Sequence, residues 1–209
     1  MKFDIKSYKE LRLYIASDLY RYMTSCSIRA FLRGWYIAGF RYTFFLRCCR
    51  YFRKAGLFYQ PFYFLCRYAL RHYSIKYGFQ IPWQTDIGPG LFIGHYGPII
   101  VNPNSRIGIN CNLSVDVLIG LSHKPGAGFS YPTIGDRVAL NNSCKVIGGV
   151  KIASDSMIGV GAVVTKDVSE VGSIVIGVPG KVISYQGSSA YVGSFHPWTK
   201  VFITDEEES

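Results

Sequence analysis

The chain has 209 residues, 49% hydrophobic and 17% charged, which is the composition of a folded protein and excludes a disordered polymer. That length holds one sizeable core, or a modest core with a smaller attachment. The formal charge of +10 is unevenly spread: residues 1–78 carry 15 Lys and Arg against 3 Asp and Glu, and the remainder carries 8 against 10. An anionic partner would therefore meet the first half.

The basic half reads as helices near 7–23, 29–54 and 60–77, because its apolar residues recur at long period without clustered Gly or Pro. It holds 22 of the 33 aromatic residues, interleaved with Arg29, Arg33, Arg41, Arg47, Arg50, Arg53, Arg67 and Arg71. Two readings stand side by side. In one, the helices rest on anionic lipid as a peripheral contact at the inner face of the membrane. In the other, they form a small bundle with an aromatic core and a solvated arginine face. Nucleic acid is a poorer partner, since no recognition motif accompanies the charge. The longest apolar stretches, around 44–46 and 57–66, fall far short of the roughly 20 residues of a membrane span. Six cysteines without CxxC or zinc spacing, and no cleavable signal, point to a reduced cytoplasmic chain without a metal site.

From residue 81 an aliphatic side chain returns every sixth position. The runs are Ile81, Ile87, Ile93, Ile99; then Ile107, Leu113, Ile119; then Ile134, Leu140, Val146, Ile152, Ile158, Val164. Period six is neither helical nor alternating. It is the signature of a coil of short strands whose equivalent side chains stack into interior columns, three hexapeptides to a turn and roughly five turns in all. Glycine often follows the aliphatic residue, where the backbone turns or packs closely. The phase breaks twice, and surplus residues in a solenoid are extruded as loops. The first break is read at Asn102-Pro103-Asn104 and the second at 122–132. The expected organisation is a basic α-helical block over 1–78, a mainly β coil over 79–183, and a tail over 184–209. The tail's aromatic residues either strap the coil or fray.

Of four histidines, His95 sits inside the repeat, in Gly94-His95-Tyr96-Gly97-Pro98, where a side chain can leave the coil and act as a base near neutral pH. Three segments surrounding it carry a resemblance: 78–95, with Gly78-Phe79-Gln80-Ile81-Pro82 and Ile87-Gly88-Pro89-Gly90; 112–136, with Tyr131-Pro132-Thr133-Ile134-Gly135-Asp136; and 160–183, with Val160-Gly161-Ala162-Val163-Val164-Thr165-Lys166 and Gly177-Val178-Pro179-Gly180-Lys181. They resemble the hexapeptide-repeat acyltransferases, in particular the serine acetyltransferase-like branch found in capsule and exopolysaccharide synthesis.

The resemblance implies a left-handed parallel β-helix, a homotrimer or paired trimers, and active sites between subunits. It implies acetyl-CoA as donor and transfer to a hydroxyl group. His95 falls on the family's catalytic histidine and Gln80 on its orienting carboxylate. Gly120, Asn142, Val160, Gly161, Lys166, Pro179 and Lys181 are implied neighbours of coenzyme A, and Tyr131, His123 and Asp116 of the acceptor. Three positions depart from serine acetyltransferases: Gly94 stands for an aspartate, Ser130-Tyr131 for an Arg-His pair, and Gln80 for a carboxylate. Because partners for an amino acid's charged ends are missing, the expectation is a saccharide acceptor in surface polysaccharide synthesis. The alternatives are serine O-acetylation for cysteine synthesis and a non-catalytic trimeric scaffold.

Overall fold

Aliphatic side chains six residues apart share one interior only if the chain winds around it. In the computed structural model, which describes residues 3–126 and 128–200, it winds five times. The first turn is β1 (Phe79–Gln80), β2 (Asp86–Ile87) and β3 (Phe92–Ile93); the second is β4 (Ile99–Val101), β5 (Arg106–Ile107) and β6 (Asn112–Leu113). The third is β7 (Val117–Gly120), interrupted by a hairpin of β8 (Ser122–Lys124) and β9 (Gly128–Ser130), then β10 (Thr133–Ile134) and β11 (Ala139–Leu140). The fourth is β12 (Lys145–Ile147), β13 (Lys151–Ile152) and β14 (Met157–Ile158). The last is β15 (Val163–Val164), a bridge at Val168, and β16 (Ile174–Ile176), closed by antiparallel β17 (Lys181–Ser184). The three faces are the parallel stacks β1-β4-β7-β12-β15, β2-β5-β10-β13 and β3-β6-β11-β14-β16.

All thirteen repeat residues are interior, none more than 3% exposed. The register corrects the position of the first phase break. Val101 stands opposite Ile119, whereas Ile99 stands opposite Val117. Hexapeptide phase therefore resumes at Val101, and the two surplus residues lie between Ile93 and Val101, at the His95 corner. Asn102-Pro103-Asn104 needs no extra length, because it closes a tight turn in which the Asn102 side-chain oxygen accepts the Asn104 N–H at 2.9 Å. Ile99 looked in phase because β4 alternates, burying Ile99 and Val101 on either side of exposed Ile100. The glycines that follow the aliphatic residues serve close stacking: a Cβ on Gly88 would meet the Gly108 carbonyl at 2.8 Å. Positive φ falls largely at other corners, on residues such as Asn110 and Asp116.

The helices are α1 (Tyr8–Met23), α2 (Ile28–Gly34), α3 (Ala38–Lys54) and α4 (Gln60–Tyr77). The expected helix over 29–54 is two helices. The chain tightens at Trp35–Ile37, where the Tyr36 and Ile37 N–H groups bond to the Arg33 and Gly34 carbonyls at 3.1 and 2.8 Å. This change of direction buries Phe40 beside Leu19 and Ala30 while α3 lies along the coil. No helix among the described residues is long and apolar enough to cross a membrane.

A coil's first turn has no preceding turn to bond, so its backbone groups need other partners. Helix side chains supply them. Asp18 and Arg47, both fully buried, pair at 2.9 Å. Arg47 also donates to the Ile87 and Gly88 carbonyls at 2.8 and 2.7 Å, and Asp18 accepts from the Gly90 and Leu91 N–H groups at 2.8 and 2.9 Å. Tyr42 donates to the Ile81 carbonyl at 2.8 Å, and the Tyr22 hydroxyl accepts the Ile93 N–H at 2.8 Å. Arg50, also buried, donates to the Phe3 carbonyl at 2.8 Å and to that of Thr85. Part of the arginine content therefore belongs neither to a lipid face nor to a solvated one.

The tail is a strap as far as residue 200. The Ser188 N–H bonds to the Asp155 carbonyl at 2.8 Å. Asn112 donates to the Tyr191 carbonyl at 2.7 Å, Asn110 to the Thr199 hydroxyl at 3.1 Å, and Trp198 packs on Tyr14 of α1 with ring centroids 5.9 Å apart. The acidic run at 205–208 lies outside the described residues.

Removing one partner of a buried ion pair strands the other's charge. Asp18→Ala is expected to lower stability by about 3–5 kcal/mol, read as a shift of the urea unfolding midpoint of the full chain.

Candidate active site

The extruded corner after β3 carries His95. The Gly97 N–H bonds to the Tyr77 carbonyl at 2.8 Å, and the Asp116 N–H bonds to the Pro98 carbonyl at 2.6 Å, which pins the corner from both sides. A Cβ on Gly97, at φ 141°, would meet a Val115 methyl at 2.3 Å, so the close approach requires glycine. The imidazole is exposed and lines a cavity of about 370 Å³ with Tyr36, Gly39, Tyr77 and Tyr96. A deprotonated imidazole presented there can take a proton from a bound alcohol.

Helix α3 begins at this cavity. A Cβ on Gly39 would meet the Ile93 carbonyl oxygen at 2.3 Å and the Tyr22 hydroxyl at 2.5 Å, so the helix can start this close only with glycine. Its N-cap, Ile37, supplies no side-chain acceptor, leaving the partial positive end of the helix beside His95. Sequence reading missed these helical lining residues; the available signal was a lone glycine inside an aromatic-rich segment.

Successive corners between the third and first stacks continue the edge below His95. They carry Asp116, Asn142, and the pair Val160 and Gly161, with the Gly161 N–H bonded to the Asn142 carbonyl at 2.9 Å, while Pro179 lies beyond them in the turn that joins β16 to β17. Turns in such a stack lie about 4.8 Å apart. Asp116 is ion-paired with Lys145 at 3.0 Å. Hydrogen bonds from Lys145 and then Ser143 hold its carboxyl below the usual carboxylate range.

The remaining expected residues sit elsewhere. Gly120 ends β7 and leads into the hairpin, where the His123 ring packs on Phe129 at 4.8 Å. Tyr131 follows the hairpin, half-buried. Lys166 is exposed at the next edge, between β15 and the Val168 bridge, and Lys181 is exposed on β17. A cavity of about 410 Å³ under the hairpin is lined by Ser122, Ser130, Thr165 and Asp167. Gln80 lines a different cavity, of about 390 Å³, with Arg67, Ser74 and Trp83, and no hydrogen bond joins it to His95. Within one chain the expected site is thus divided between two edges. A further cavity, about 570 Å³ between α1 and α2, contains none of these residues.

No family model matches the chain. It is 37% identical over 119 residues to a serine acetyltransferase of Mycobacterium tuberculosis, covering 57% of this chain and 51% of that one. It is 32% identical over 123 residues to a serine acetyltransferase of Helicobacter pylori, covering 59% of this chain and 71% of that relative. The chain belongs to the serine acetyltransferase family. Its fold matches crystal structures of the serine acetyltransferases from Brucella abortus, with a TM-score of 0.70 at 22% identity over 87% of this chain and 72% of that one, and from Neisseria gonorrhoeae, with a TM-score of 0.68 at 24% identity over 89% and 71%. The chain spans 51% and 62% of the M. tuberculosis and Bacillus pumilus relatives, the rest of whose length has no counterpart in the match. Membership in this family overturns the expected saccharide acceptor and its place in surface polysaccharide synthesis. The departures at Gly94, Ser130 and Tyr131 are differences within a serine acetyltransferase frame.

Because overpacking at a backbone contact typically costs about 1–3 kcal/mol, Gly39→Ala is expected to destabilise the protein by that amount. A thermal unfolding midpoint equal to that of the parent would show that α3 tolerates a shift away from Ile93.

Proposed function

We propose that the protein is a serine O-acetyltransferase, moving the acetyl group of acetyl-CoA to the hydroxyl of L-serine with His95 as general base. The observation that carries this reading is the exposed imidazole on the extruded corner of a coil whose relatives are serine acetyltransferases. His95 takes the hydroxyl proton as the serine oxygen attacks the thioester carbonyl. Collapse of the tetrahedral intermediate breaks the carbon–sulfur bond, and the imidazolium returns the proton to the departing thiolate. The start of α3 beside the ring favours the negative charge that develops on the carbonyl oxygen.

An amino acid brings an ammonium and a carboxylate. Asp116, one coil turn from His95, and Lys145, one turn further on, pair at 3.0 Å and offer both opposite charges, in place of the Arg-His pair that Ser130 and Tyr131 replace. Coenzyme A follows the edge marked by Asn142, Val160, Gly161 and Pro179 toward the exposed end of the coil, with Gly120, Lys166 and Lys181 contributed from the neighbouring edge. The protein works as a trimer, which sets the hairpin edge of one protomer, with His123 and Tyr131, against the His95 edge of the next. Gln80 positions the imidazole only if that assembly brings the two together. A cytoplasmic setting supplies the donor. The structure of a serine acetyltransferase complex with coenzyme A supports the donor assignment.

The test is thiol release from acetyl-CoA with L-serine as acceptor. His95→Ala is expected to lower kcat by about 10² to 10⁴ while its thermal unfolding matches that of the parent. Thiol release at the parental rate by a folded His95→Ala protein would remove the base from the mechanism. Failure of the parent to acetylate serine would remove the acceptor.

A further inference from the structure

Helix α4 is apolar on two opposite faces. One face, with Tyr63, Cys66 and Leu70, is buried against the rest of the protein. On the other, Phe64, Leu65, Tyr68 and Ile75 are 65, 66, 73 and 75% exposed, and the stripe continues into the preceding turn at Leu57 and Phe58, 88 and 81% exposed. These positions recur at helical spacing, so they form one strip along the helix rather than scattered surface residues. Arg67 and Arg71 flank the strip on one side and Lys76 on the other. An unpartnered helix face of this length, aromatic along its centre and cationic along its borders, has the composition of a helix lying in the headgroup layer of a bilayer.

We propose that this outward face of α4 docks the protein on an anionic lipid surface. Charge decides between lipid and a second copy. The strip is bordered by Arg67, Arg71 and Lys76, and α4 contains no Asp or Glu. Two such faces brought together would set cation against cation with no acid to pair them, whereas an anionic headgroup layer neutralises each one. The long stems of Arg67, Arg71 and Lys76 let the strip sink to the depth of the acyl boundary while their charges stay among the headgroups. The strip spans Phe64 to Ile75, and the one α4 residue that lines the His95 cavity, Tyr77, lies beyond its end and is half-buried. This contact is independent of the acceptor and holds whichever alcohol is acetylated.

The experiment is flotation of the full chain with vesicles of phosphatidylcholine alone and of phosphatidylcholine mixed with phosphatidylglycerol. Binding is expected on the mixed vesicles, with strong weakening on the neutral ones and on raising the salt concentration. Arg67→Gln with Arg71→Gln is expected to weaken binding about 30-fold. Leu65→Ser with Tyr68→Ser, at positions already in solvent and so without effect on folding, is expected to weaken it by more than about tenfold. Equal binding to both vesicle types, or none to either, would overturn the proposal. So would a drop in the light-scattering mass of the Leu65→Ser, Tyr68→Ser protein relative to the parent, since that would make the strip a contact between copies. An unchanged mass together with lost flotation supports lipid.

Discussion

The buried pair of Asp18 and Arg47 is the contact on which the arrangement of helices and coil depends. Two charges taken wholly out of water cost several kcal/mol each unless every lone pair and proton finds a partner. Here the partners are the backbone groups that the first turn of a parallel coil leaves open, at Ile87, Gly88, Gly90 and Leu91. Neither side is satisfied without the other: the carboxylate and guanidinium need those amides and carbonyls, and the turn needs a cap. Seating the pair also fixes where α3 runs, and so places its uncapped start beside His95. The site is in this sense a product of how the coil is closed off.

Much of the coil is legible from residue spacing because its periodicity is imposed by one column of side chains meeting another, which tolerates little variation in size or polarity. The limits of that reading are just as physical. Alternation within β4 puts both Ile99 and Val101 inside, so the column appears to continue through Ile99, and the surplus residues are assigned one corner too late. Strand register resolves it and moves the extrusion onto His95 itself. In the helical half, composition suggests that arginines face outward, since isolated cations avoid burial. Arg47 and Arg50 are interior because their partners are backbone carbonyls of a segment some forty residues away, which no local pattern reports. The divided helix over 28–54 was hidden for a similar reason, its break being set by the packing of Phe40 and Gly39.

Sequence spacing places the expected site residues on the coil one by one, but not as an assembly. His95, Asp116, Asn142 and Gly161 fall on one edge because each occupies the same corner of its turn, whereas the hairpin and Lys166 project from another. A coil presents three edges, and sequence spacing tells which residues share one, not which edges meet. The acceptor was misread by a related shortcut. The missing Arg-His pair and aspartate point away from an amino-acid substrate only if no other charged groups serve, yet a carboxylate and an ammonium stand together at Asp116 and Lys145, outside that motif.

The strap formed by residues 185–200 changes how a coil of this kind comes apart. A stack in which each turn touches only its neighbours can fray from either end, losing one layer at a time. In this chain the segment leaving the last layer runs back along the stack, binds Asp155, Asn112 and Asn110 in turn, and sets Trp198 against α1. The far end is thereby tied to the second turn and to the helices that cover the first. Peeling the outermost layer therefore also strains the strap's hold on the second layer and on α1, which couples the two ends of the stack.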